Sequence, residues 1–576
     1  MHTKSFSRSL SLVLALTLLL ALSSPAFAMG KPAAVDVQIL AINDFHGALD
    51  PSTVTVPGTY PAVKYYAGGA GYLSARLKEA AASNPNTVKV SVGDMIGASP
   101  LLSSIFHDEP TIRAFNLMGF DFSAVGNHEF DEGWNELLRM QNGGCHPVDG
   151  CYAGVPDFTG ATFKYLTSNV IRLDNGGTLF PAYMVKEYDG VKVAFIGVSL
   201  EATPTIVVPS GVAGLEFQPE VDAINHYVKY LKDTEGIKAF VVLLHDGAGS
   251  AANANACNST DPFYTNVVMK VDPEVDALVT GHSHNAYNCQ VTVKKNYGPM
   301  LVTSAGSNGR FFTDINLTIN GTNGQVASGS AMNVEVIDGP QATAPALPVI
   351  TAVADPDMTA LLAAYKAIAN PIANRVIGSI TADIKRNSLD STVESAMGDV
   401  IADAQLEATA PAAAGGAVVA MTNPGGIRTD LLFAGSSAGE GDGNVTYGEA
   451  FAVQPFSNTL VTMSLTGAQL KAVLEQQATA ARTLQISASL TYTWTKSAAV
   501  GSKVSNLEID DVAVDPAATY RVTVNNFLAA GGDGFTTLLA GTDLFTGGVD
   551  LDAFVNYIHD NSPVEPGPKD RITVFP

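Results

Sequence analysis

An aspartate and a histidine two positions apart, Asp44-Phe45-His46, put a carboxylate and an imidazole on the same side of an extended segment, where both can grip one cation. Gly93-Asp94 adds a second carboxylate behind a residue that permits a turn a side chain would obstruct. In Gly126-Asn127-His128-Glu129-Phe130-Asp131, Asn127 offers a neutral oxygen while the adjacent His128 imidazole must point elsewhere, which suits a ligand beside a general acid. His245 ends an apolar run, and Gly281-His282-Ser283-His284 puts two imidazoles on one side. Each piece alone has an ordinary reading as a capping aspartate, a plain turn or a hydrogen-bonded core histidine. Together they make five ordered clusters that use five of the ten histidines, which independent turns rarely produce. Oxygen and nitrogen donors without thiolate suit zinc, manganese, iron or cobalt at two neighbouring sites, one carboxylate bridging them.

The elements that must position these groups are short apolar runs read as strands: Val37 to Ile42, Val88 to Val92, Val191 to Val198, Ala239 to Leu244 and Ala277 to Thr280. Most end directly on one of the polar clusters, and open α/β sheets bind ligands beyond the carboxyl ends of their strands. From Val35 to about Ile337 such runs alternate with amphipathic stretches, as layered α/β structures do. Gly339-Pro340, Pro345 and Pro348 then read as a linker that leads into a helix over Met358 to Ala369. The expected organisation is a catalytic domain over 34–338, a linker with helix over 339–371 and a second α/β domain over 372–576.

Lys4 and Arg8, the apolar run Leu10 to Leu22 and Ala26-Phe27-Ala28 form a secretory signal over 1–28, cleaved after Ala28. The expected location is therefore secreted or periplasmic, and the C-terminus carries no sign of a membrane anchor. The net charge is -23, and loss of Lys4 and Arg8 makes it two units more negative. Such a surface argues against nucleic acid polymers as partners but not against a small anion held in a local basic pocket. Four cysteines in an exported chain are expected to pair, Cys145 with Cys151 and Cys257 with Cys289.

In the second half, Asn423-Pro424-Gly425-Gly426-Ile427-Arg428 places a guanidinium after a Gly-rich turn, where it can approach phosphate or carboxylate with a forked donor. Gln454-Pro455-Phe456-Ser457-Asn458 and Asn526-Phe527 followed by Gly531-Gly532-Asp533-Gly534 each set a phenylalanine among polar residues. A base can stack between two such rings while Asp533 accepts from ribose hydroxyls.

The metal cluster resembles that of the calcineurin-like metallophosphoesterases, in particular the secreted 5′-nucleotidase and UDP-sugar hydrolase family, and the second-half motifs resemble that family's C-terminal domain in the same order. The resemblance implies a four-layer α/β/β/α metallophosphoesterase domain followed by an α/β substrate-binding domain. By motif it puts Asp44, His46, Asp94 and His284 around one divalent ion and Asp94, Asn127, His245 and His282 around a second (Zn, Mn, Co or Fe), with Asp94 as bridge. It makes His128 and Asp131 the catalytic dyad, and Asn423, Arg428, Phe456, Asn458, Phe527 and Asp533 the contacts to a nucleotide substrate. The activity implied is hydrolysis of nucleoside 5′-monophosphates. Cyclic 2′,3′-phosphodiester cleavage, UDP-sugar hydrolysis and non-catalytic nucleotide capture are the alternatives. Two departures stand out. Some members carry glutamine where this chain has His284. The family's arginine before Met397-Gly398 is replaced here by Ser391-Thr392-Val393-Glu394, with Arg386 further upstream.

Overall fold

The computed structural model describes residues 33–55, 64–293, 298–337, 353–387, 392–435 and 438–576. The expected signal segment, most of the proline-containing linker and Ser391 lie outside the described residues.

Alternation along the strands builds the first half. In Ala34–Ile42, the side chains of Val37, Ile39 and Ala41 point one way and those of Leu40 and Ile42 the other, and all are buried. The first set meets Val193, Phe195, Val241, Leu243 and Val279 of a second sheet, while the second set packs against helical residues such as Leu73, Leu77, Ile112 and Phe115. The outer face of the second sheet, through Ile196, Val242 and Leu244, covers Ile224, Val228 and Leu231 of the helix Glu220–Glu235. Helix, sheet, sheet and helix are thus four layers, as the resemblance implies.

Both sheets have six strands. The first runs Val326–Glu335, Phe311–Asn320, Ala34–Ile42, Thr87–Val92, Phe122–Ala124 and Lys164–Leu166, the last four mutually parallel. The second runs Ala286–Val291, Met300–Ala305, Ala277–Thr280, Phe240–Leu244, Val191–Val198 and Tyr183–Tyr188, with the four central strands parallel. Parallel strands buried on both faces read as unbroken apolar runs, which is why the sequence marks them so clearly. Five of these strands end on the polar clusters.

The expected helix forms over Pro356–Ala373, with Asp355 capping its first turn by accepting from the Asp357 amide. Met358, Leu362, Tyr365 and Ala369 form its buried stripe. Beyond it, a five-stranded sheet runs Gln485–Ile486, Val419–Thr422, Thr519–Asn525, Thr459–Thr466 and Thr542–Val549, and a helix over Ala396–Thr409 lies beside it. Both expected disulfides are present, Cys145 to Cys151 and Cys257 to Cys289.

Ile39 sits fully buried between the two six-stranded sheets. Replacing it with alanine should cost about 3 kcal/mol of stability to the first half, read as a lower urea midpoint; an unchanged midpoint would contradict the two-sheet core.

Candidate active site

The seven proposed ligands come together where the carboxyl ends of the two sheets meet. Asp44 and His46 follow Ala34–Ile42, Asp94 follows Thr87–Val92, and Asn127 follows Phe122–Ala124. From the facing sheet, His245 follows Phe240–Leu244, and His282 and His284 follow Ala277–Thr280. Asp44, His46, Asp94 and His284 offer donor atoms to one point, and Asp94, His245 and His282 to another. Asn127 Oδ1 joins the second group, 3.1 Å from His245 Nε2 and 2.9 Å from His282 Nδ1. Asp94 belongs to both.

The backbone is strained to achieve this. Asp44, His46, Asp94, His282 and His284 all have φ between 48° and 63°, the left-handed region that non-glycine residues rarely occupy. Glycines make room: a side chain at Gly93 would run into the Gly126 backbone, and one at Gly126 into the Asp94 carboxylate. The strain is offset by hydrogen bonds that lock each turn. The Asp44 amide donates to Gly93 O at 3.1 Å, the His46 amide to Asp94 O at 2.9 Å and the His282 amide to Asp44 Oδ1 at 3.0 Å.

Those contacts also fix the tautomers. His46 Nδ1 donates to Gly97 O at 2.9 Å and His245 Nδ1 to Val92 O at 2.7 Å, so each ring turns Nε2 inward. His46 Nε2 then lies 3.0 Å from His284 Nε2, and His245 Nε2 lies 3.1 Å from both Asn127 Oδ1 and Asp94 Oδ2. Asp94 Oδ2 is buried and satisfied by no hydrogen bond. Inward lone pairs and acceptor oxygens face one another across these gaps, so positive charge must sit between them. Burial, then the neighbouring His284, holds the His46 pKa well below its usual value. Burial, reinforced by the other histidines, also lowers His282 to about 4 and, with Arg428 nearby, His284 to about 3. These are neutral imidazoles with free lone pairs. Burial raises Asp44 to about 7, whereas Asp94, despite burial, is held well below the usual carboxylate range by His245 and His128. His245, opposed by burial, is raised to about 10 by the Asp94 carboxylate. The same Asp94 carboxylate field that favours a proton on His245 favours a divalent cation, which would displace that proton because it needs deprotonated donors.

His128 Nδ1 donates to Asp131 Oδ2 at 2.8 Å, which turns Nε2 into the cleft. Burial works against its charge, but Asp131 and then Asp94 raise its pKa. Its ring lies 5.8 Å from that of Phe456 and nearly parallel to it, so a residue from the second half touches the dyad directly.

Asn127, His128, Asp131 and His282 share a cavity of about 210 Å³ with Asn423, Arg428, Phe456, Asn458, Phe527 and Asp533. All the expected substrate residues therefore meet the expected catalytic ones. Asn423 Nδ2 donates to Asp533 Oδ2 at 2.9 Å, and the Arg428 guanidinium lies 5.5 Å from the Phe456 ring centre. Phe527 rests on Gly532, where any side chain would collide with the ring. Arg386 donates to Ile427 O at 3.0 Å and its charge, after burial, lowers the Arg428 pKa.

Two residues escaped the sequence reading. Glu129 accepts from the amides of Asp94 and Met95, each at 2.8 Å, and Gly126 at 2.6 Å, tying two ligand loops together. Burial, and next the Asp94 charge, push its carboxyl up to about 8, while these donors favour the carboxylate. Its place beside His128 was the available signal. Arg482, whose Nη1 lies 3.2 Å from Asp533 Oδ1, brings a further guanidinium to the cavity and has no sequence signal of its own.

A four-layer fold with oxygen and nitrogen donors gathered at its strand ends suits a divalent-metal centre, and the families the chain matches make it a metal-dependent phosphoric ester hydrolase. Residues 37–286 match the calcineurin-like phosphoesterases, and 376–540 match the 5′-nucleotidase C-terminal domain. The chain is 32% identical to a cell wall protein of Listeria monocytogenes across 97% of its own length and 71% of that protein. It is 33% identical to an endonuclease of Bacillus subtilis, of whose length it spans 40%. It also resembles the crystal structure of a 5′-nucleotidase precursor from Thermus thermophilus, with TM-score 0.74 and 26% identity, covering 94% of this chain and 99% of that one. The chain belongs to the calcineurin-like phosphoesterases that carry a 5′-nucleotidase C-terminal domain. That family uses divalent metals.

Glutamine at position 129 would turn an amide N–H₂ toward backbone donors. Glu129→Gln should therefore weaken metal binding about 10- to 100-fold in chelator competition. Wild-type affinity in this variant would remove Glu129 from the positioning role.

Proposed function

We propose that the protein is an exported nucleotidase that holds two divalent ions and hydrolyses nucleoside 5′-monophosphates to nucleoside and phosphate. The observation that carries this reading is the shared cavity, in which the His128–Asp131 dyad faces Phe456, Phe527, Arg428 and Asp533. A phosphoester reaching the metal ligands would leave its organic part among the two rings and the aspartate.

Asp44, His46, Asp94 and His284 would hold one ion and Asp94, Asn127, His245 and His282 the other. When bound, the ions supply Lewis acidity to the phosphoryl oxygens and a nucleophile from water near neutral pH. His128, with Nδ1 committed to Asp131, keeps Nε2 free to stabilise charge on the transferring group or to protonate the departing oxygen. Arg428, with Arg386 beside it and Arg482 across the cavity, draws the anionic substrate into an otherwise acidic protein. Phe456 and Phe527 would stack on the base, and Asp533, steadied by Asn423 and Arg482, would accept from the ribose.

The division of labour at a boundary between 338 and 372 belongs to this proposal. So does export: the signal over 1–28 supports it, and no helix among the described residues is long and apolar enough to cross a membrane. The cell-wall designation of the Listeria relative is in keeping with it.

Purified protein supplied with manganese or zinc should release phosphate from AMP faster than it cleaves 2′,3′-cyclic AMP or UDP-glucose. His128→Ala should lower kcat on AMP by about 10²–10⁴-fold. Phe527→Ala should instead act mainly on KM. A panel in which AMP yields no phosphate while a cyclic phosphodiester is cleaved would replace this reading with a phosphodiesterase.

A further inference from the structure

A second group of metal-type donors lies away from the strand ends. His107, Glu132, Glu136 and His146 offer ligand atoms that all fall within 4.8 Å of one another. They come from four places in the chain: the turn after Leu101–Ser104, the turn after the dyad, the helix Trp134–Asn142 and the disulfide loop. We propose that His107, His146, Glu132 and Glu136 form a third divalent-metal site, of zinc type, at the rim of the active-site cleft.

The geometry of the four groups carries this. The His107 and His146 rings are stacked, with centroids 3.6 Å apart and planes 16° from parallel. His107 Nδ1 lies 2.6 Å from Glu132 Oε2, and its Nε2 lies 2.7 Å from Asp149 Oδ2. Both imidazoles are largely shielded, with side-chain exposures of 17% for His107 and 13% for His146. The Cys145–Cys151 disulfide closes the short loop that carries His146 and Asp149, and paired backbone hydrogen bonds between His146 and Gly150 hold it. Arg139 grips Glu136 through Nε and Nη2, at 2.7 to 2.9 Å, fixing that carboxylate in place. Glu109 and Glu136 pair with Arg139, while Glu132 and Asp149 flank His107, so the four carboxylates outnumber the one guanidinium among them.

Zinc bonds of about 2.0–2.2 Å require donors roughly 3.5 Å apart, so the four donors, now within 4.8 Å of one another, would close on an ion as the two stacked imidazole planes open toward it. Two imidazoles and two carboxylates without thiolate are within the zinc repertoire. Asp149, on the far nitrogen of His107, would orient that ring as carboxylates behind metal-bound histidines do.

The location gives the site a consequence. His107, Glu132 and Glu136 line a cleft of about 580 Å³ whose wall also includes His128, Asp131 and Phe456. Glu132 directly follows Asp131, so an ion holding Glu132 would restrain the turn that orients the dyad. The site would be a structural metal beside the catalytic centre rather than part of it.

The test is a metal count on the full chain after equilibrium dialysis against zinc, checked by circular dichroism for folding. The wild type should retain one more equivalent of zinc than His107→Ala and than His146→Ala, and zinc should raise the Tm of the wild type beyond that of either variant. The count is a difference, so it stands whatever the main centre retains; a failure of the nucleotidase reading would appear in phosphate release instead. Equal counts in the wild type and a folded variant would overturn the proposal. Should either variant misfold, Glu132→Gln serves as the third, with the same loss of one equivalent expected and an unchanged count contradicting the site.

Discussion

One oxygen of Asp94 sits fully buried with no hydrogen bond to satisfy it, at the point shared by both groups of donors. A desolvated carboxylate in that state is costly unless a cation completes it. Everything around it is arranged to keep the oxygen where it is. Glu129 ties the Asp94 and Gly126 turns together, two glycines allow them to approach, and Val92 O and Gly97 O orient the histidines that face them. Five left-handed backbone conformations are the local expense of this design, and the two packed sheets supply the rigidity that sustains them.

The second half adds what a bare metal centre lacks. Metal ligands alone would accept many phosphate esters, because the phosphoryl group is all they contact. Phe456, lying against His128, brings an aromatic surface to the reaction centre itself. Arg428 and Arg482 line the same cavity, in a chain whose net charge is -23, and give it two guanidiniums beside Asp131 and Asp533.

Much of this was legible in the sequence because the causes are local. A parallel strand buried on both faces must be an apolar run, so Val88 to Val92 marks itself in the sequence, and Asp94 follows directly after its end. The pairing Cys145 to Cys151 and Cys257 to Cys289 was equally accessible, since neighbours in sequence were also neighbours in space. Arg482 was not legible, and Glu129 offered only its place beside His128. Their roles depend on which backbone amides or carboxylates arrive from dozens of residues away, and neither leaves a periodic or compositional trace. The stacked pair His107 and His146 is of the same kind: two unremarkable histidines become a cluster only when separate loops fold against each other.

The central claim is that Asp94 holds the ions that perform hydrolysis while the second half holds the nucleoside. Asp94→Asn keeps the shape of the side chain and removes its charge, so it addresses both parts at once. Phosphate release from AMP, measured together with adenosine binding by calorimetry, should fall to background in this variant while adenosine still binds as in the wild type. Undiminished phosphate release by a correctly folded Asp94→Asn protein would contradict the account.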